Sequence, residues 1–122
     1  RIHNYAEIKK IGMSLDYNII EPHLYTSKEL INILSSAEHI IAESGSTSIN
    51  AILFGPKNTR ITVLLPKRLF ESPTESMIHG GLPYILPYLN RTQIVLGDTI
   101  IPHAVQTSDI VYYNPKMIFT KQ

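Results

Sequence analysis

The chain has no cysteine and no tryptophan among its 122 residues. Without cysteine there is no disulfide, no thiolate metal ligand and no thiol nucleophile, and the absence mildly favours a reducing compartment. No apolar run approaches the roughly 18 residues that span a bilayer, so no transmembrane segment is expected. Net charge is also scarce, with 11 Lys and Arg against 10 Asp and Glu giving +1. The basic residues are scattered into short pairs such as Lys9-Lys10 and Lys67-Arg68. On that balance neither nucleic acid nor an anionic membrane surface is expected as a partner. Three familiar motifs are missing: the G-x-x-x-x-G-K-[ST] phosphate loop, the dinucleotide fingerprint and the G-x-S-x-G nucleophile turn. The histidines, His3, His23, His39, His79 and His103, lack H-x-x-x-H spacing and an accompanying carboxylate cluster, so no metal site is expected. No signal peptide is evident and the chain opens on Arg1, which reads as a fragment of a longer protein.

A hydrophobic share of 43% with 17% charged residues is that of a globular core, and the length fits one domain over 1–122. Residues 2–13 place Ile2, Tyr5, Ile8 and Ile11 on a helical stripe that Gly12 is expected to end. The run 17–20 suits a buried strand stopped by Glu21-Pro22. Thr26-Ser27-Lys28-Glu29 is a capping box, and Leu30, Ile31, Leu34 and Ala37 follow on one face, so a helix is expected over about 27–37. Residues 39–42 form a second apolar run. A polar turn over 43–48 then leads into a helical pattern closed by Gly55-Pro56. Residues 60–65 read as a third strand. This alternation implies an α/β fold of Rossmann type, with a parallel sheet covered by helices. Further on, Pro73, Pro83 and Pro87 argue against one long helix over 70–90, and residues 93–96 and 110–113 look like two short strands.

In such sheets ligands bind beyond the carboxyl ends of the strands. The turn Glu43-Ser44-Gly45-Ser46-Thr47-Ser48 lies there, at a helix N-terminus whose N–H groups and dipole favour an anion. Gly45 lets backbone approach a ligand, and the four hydroxyls offer donors. The competing reading is that these hydroxyls only cap the helix. Glu43 is placed to act as a base, to bind sugar hydroxyls or to cap. His79, beside Gly80 and Gly81, is a second candidate for catalysis, and His23 falls on the same edge as Glu43. His39, opening a strand, reads as packed or capping rather than catalytic.

The order of these residues resembles the carboxy-terminal half of glycosyltransferase family 61, including bacterial members linked to capsule and lipopolysaccharide synthesis. The resemblance runs through Arg1, Asn4, Glu7-Ile8 and Gly12, then Ile19-Ile20-Glu21-Pro22 and Ser36-Ala37. It continues through Ile40-Ile41-Ala42-Glu43-Ser44-Gly45 and Asn50-Ala51-Ile52-Leu53-Phe54, fading after about Pro66. Members typically run the second strand into G-x-H-G with an asparagine a few residues on. Gly45 and Asn50 match the last glycine and the asparagine, whereas Ala42 replaces the first glycine and Ser44 the histidine. A serine there offers a hydroxyl but no base that works at neutral pH.

The resemblance implies the carboxy-terminal half of a GT-B enzyme, which binds a nucleotide-sugar donor for inverting transfer onto a glycan acceptor. Ser44, Gly45, Ser46, Thr47, Ser48 and Asn50 would then hold the donor phosphates, with Arg1 a further contact. It implies no cofactor beyond that substrate, a partner domain in an amino-terminal half of the same protein, and a location in the cytoplasm or peripheral at the membrane. The alternatives are a non-catalytic nucleotide- or sugar-binding module, a packing domain, and polysaccharide pyruvyl transfer.

Overall fold

Thr26 starts the best-specified helix of the fold. Its hydroxyl oxygen accepts the Glu29 N–H at 3.3 Å, and the Glu29 carboxylate accepts the Thr26 N–H at 2.8 Å. Two otherwise orphaned donors are satisfied reciprocally. The helix α2 (Ser27–Ser35) then buries Leu30 and Leu34. A computed structural model of the chain describes residues 2, 4–67, 90–97 and 117–122. In chain order these form α1 (Tyr5–Ser14), β1 (Asn18–Ile20), a 3-10 turn (Pro22–Leu24), α2, β2 (His39–Glu43) and α3 (Ser46–Phe54). They continue as β3 (Arg60–Pro66), β4 (Thr92–Gly97) and β5 (Ile118–Lys121). The fold is α/β. Among the described residues no helix is long and apolar enough to cross a membrane.

The five strands lie in the order β1-β5-β2-β3-β4. β2, β3 and β4 are parallel, as the alternation of strands and helices predicts. β5 is not, and it corrects the expectation of a parallel sheet. It runs antiparallel between β1 and β2, pairing Ile118 with both Ile20 and Ala42. The apolar run Met117-Ile118-Phe119 drives this insertion, since all three side chains are at most 2% exposed. The two expected strands at 93–96 and 110–113 divide accordingly. The first is β4, and the second lies outside the described residues, as does the stretch 70–89.

Side chains alternate between the faces of a sheet, and the register sorts them here. Ile20, Ile118, Ile40, Ala42, Ile61 and Val63 join Leu30, Leu34, Ala51 and Ile52 in the core under α2 and α3. The opposite face carries Ile19, Phe119, Ile41 and Glu43. α1 packs on that side through Gly12, where an added Cβ would lie 2.6 Å from the Phe119 ring. Gly12 therefore does not end the helix, as its residue type predicts. It is buried inside α1 because the aromatic ring occupies the place of its side chain. Gly55 also differs from a left-handed helix stop. Its φ is −66°, and a Cβ there would meet the Ala51 carbonyl oxygen at 2.5 Å. The carboxyl end of α3 is instead held by Arg91, which donates to the carbonyls of Ile52 and Pro56 at 2.7 Å each.

His39 bridges two elements, as its position at the start of a strand suggests. Nδ1 lies 2.7 Å from the Tyr17 hydroxyl and Nε2 lies 2.9 Å from the Thr62 hydroxyl. Burial first, then the charges of Arg60 and Lys121, hold its pKa below the ordinary histidine value. The folded chain therefore binds this proton less readily than the unfolded chain. The stability it contributes is present above the unfolded pKa of about 6.5 and is lost as pH falls below it. Urea unfolding from pH 7.5 to pH 5 is expected to show a falling midpoint in the wild type and a flatter profile in His39→Gln. An identical slope in the two proteins would show that His39 does not carry this dependence.

Candidate functional site

β1 ends at Ile20 and β2 at Glu43, and both present their carboxyl ends on the edge where β5 begins. The turn after β2 is short. The Ser44 N–H donates to the Leu64 carbonyl at 3.0 Å, and Gly45 then takes φ 104° and ψ −146°. That conformation is essentially confined to glycine. Gly45 is the N-cap residue of α3, so no side chain caps this helix.

The hydroxyls expected around this turn divide into two groups. The Thr47 hydroxyl donates to the Glu43 carbonyl and the Ser48 hydroxyl to the Gly45 carbonyl at 2.8 Å. Both residues are buried, and their hydroxyl protons serve the backbone. Ser44 is half-buried, Ser46 is exposed, and Asn50 is half-buried one turn further along α3. The Thr47 and Ser48 hydroxyls bond carbonyls, so these two do not cap the helix N–H groups.

Glu43 is 5% exposed, and its Oε2 accepts the Met117 N–H at 2.8 Å. That bond secures the entry to β5. Close to Glu43 stands a pair that the sequence reading missed, Tyr5 and Glu21. The Tyr5 hydroxyl donates to Glu21 at 2.5 Å, and Lys9 and His23 each lie 3.8 Å from the same carboxylate. Burial first, then the Glu21 hydrogen bond and the negative charges of Glu21 and Glu43, push the Tyr5 pKa up to about 12. Tyr5 is thus a neutral donor at physiological pH. Tyr5 and Glu21 lie 16 residues apart, so no local motif announces the pair; the clue was Tyr5 on the helical stripe and Glu21 at a strand end.

The structure therefore brings Glu43, His23 and the 44–48 turn to one sheet edge and adds Tyr5, Lys9 and Glu21. Arg1 and His79 lie outside the described residues. Among the described residues no group of three or more His, Cys, Asp or Glu side chains is arranged to hold a metal ion. Chemically, the edge combines an uncapped helix N-terminus with a phenol–carboxylate pair flanked by a lysine and a histidine. The first favours anions and the second hydroxyl-bearing groups.

No family model and no curated protein matches this chain. A solved structure described as TrmBL2, an archaeal chromatin protein with a novel mode of DNA binding, matches at 12% identity and a TM-score of 0.37. The match covers 96% of this chain and 53% of that one, so the chain spans about half the length of its structural neighbour. One expectation is corrected by it. The expectation drawn from a net charge of +1, that nucleic acid is not a partner, is not retained, since the matched structure is described as DNA-binding, which is said of that protein alone. At that TM-score the likeness carries no argument about what this chain binds.

Proposed function

We propose that the chain is the donor-binding half of a glycosyltransferase of GT-B type, resembling family 61, which transfers a sugar from a nucleotide-activated donor to a glycan. The observation that carries this reading is the strand-to-helix turn at Gly45. The residues that bear the family resemblance, Glu43 to Asn50, form a glycine-dependent turn into an uncapped helix at the carboxyl edge of parallel strands. Backbone N–H groups there suit a diphosphate, and a leaving diphosphate needs that kind of charge stabilisation. The Tyr5–Glu21 pair on the same edge suits hydroxyl groups of the donor. Ser44 in the place of the family's histidine favours a second reading, a nucleotide-sugar-binding module that does not catalyse.

Thermal unfolding with UDP, CMP and their sugars tests the proposal. A ligand at 100 times its Kd stabilises the native state by about 2.7 kcal/mol. At least one nucleotide is expected to raise the Tm, with inorganic phosphate giving a smaller rise. No rise with any nucleotide would contradict donor binding. Transfer activity in the presence of acceptor separates the catalytic from the non-catalytic reading.

A further inference from the structure

A groove of about 470 Å³ lies between α2 and the β1–β5 end of the sheet. Its polar lining comes from Asn18, Tyr25, Asn32, Ser36, Thr120 and Gln122, and the rest is isoleucine. None of these residues is an Asp, Glu, Lys, Arg or His. Thr120 is fully buried, and its hydroxyl has no hydrogen-bond partner among the described residues. Buried polar groups in folded proteins are almost always paired. Here the unpaired hydroxyl belongs to a residue that lines an open groove. Around it Asn18, Tyr25, Asn32 and Gln122 are exposed. Carboxamides donate and accept at once, which matches the hydroxyls of a sugar, and a tyrosine ring offers an apolar face to its C–H groups.

From this lining we infer that the groove binds a neutral saccharide unit. Charged ligands find no counter-charge in it, and purely apolar ones would leave Thr120 and the amides unpaired. The inference does not rest on the nucleotide-sugar reading, because none of the groove's residues belongs to the turn 43–48 or to the Tyr5–Glu21 cluster.

Amide chemical shifts of the isotope-labelled protein, titrated with glucose, galactose, mannose and N-acetylglucosamine, test it, with glycerol as a control. The expected result is saturable shifts from at least one sugar, confined to residues 18–20, 25, 32–36 and 118–122. Thr120→Val is expected to weaken that binding at least about fivefold while the protein keeps its fold, because the exchange preserves shape and removes an unpaired hydroxyl. Asn32→Ala, at an exposed position of α2, supplies the same readout without touching the core. Absence of shifts with every sugar up to about 50 mM, well beyond a millimolar Kd, would overturn the inference. So would shifts of equal size with glycerol, or binding that neither variant weakens.

Discussion

Gly45→Ala is expected to lower the free energy of unfolding by about 1–3 kcal/mol, the range for a non-glycine residue held in a sparsely populated backbone region. At φ 104° and ψ −146° the glycine has left the conformations open to alanine, and the start of α3 depends on it. Either the turn retains its shape and stores the strain, or it relaxes and displaces Ser44 and Ser46. In the second case the N–H groups at the head of α3 lose the geometry a phosphate would need, and in the first a Cβ stands where the backbone would approach it. Gly97→Ala is the control. An added Cβ there meets nothing within 4 Å, so a change of less than about 0.5 kcal/mol is expected. Equal effects of the two substitutions in chemical denaturation would show that the Gly45 conformation is not required.

Glu43→Ala should be similarly damaging, for a different reason. It removes the acceptor of a buried N–H at Met117, and an unsatisfied buried donor costs about 1–3 kcal/mol. The loss is local to the entry of β5, which is the only element joining β1 to the rest of the sheet among the described residues. Faster hydrogen exchange at Met117 and Ile118 is therefore expected along with a lower unfolding midpoint. Glu43→Gln keeps a carbonyl oxygen to accept that N–H and is expected to lose much less. The pair of variants also separates structure from chemistry. Transfer activity that falls in Glu43→Gln without a comparable loss of stability would assign the carboxylate a part in the reaction. Full stability in Glu43→Ala would contradict its place in the β5 entry.

Much of the framework was legible because it is local. The capping box at Thr26 and Glu29 and the apolar runs at residues 39–42 and 60–65 each specify their element within a few residues. The failures were non-local. Gly12 reads as a helix stop until the Phe119 ring, more than a hundred residues later, is seen against it. β5 was missed although Met117-Ile118-Phe119 is a plain apolar run, and its antiparallel insertion depends on pairing with two distant strands. The candidate site divides the same way. The turn at Gly45 could be read from residue types, because glycine and small hydroxyl residues between a strand and a helix carry their own backbone logic. The partners of Glu43 and Glu21 could not, since Met117 and Tyr5 reach them only through the fold.

The most direct test of donor binding is calorimetric titration of UDP and CMP, and of their sugars, into the wild-type chain and into Gly45→Val. The account predicts saturable binding of at least one nucleotide by the wild type, with the affinity lost in a variant whose circular dichroism still reports an α/β fold. A well-folded wild-type chain that binds none of them, or a Gly45→Val variant that binds as tightly as the wild type, would contradict it.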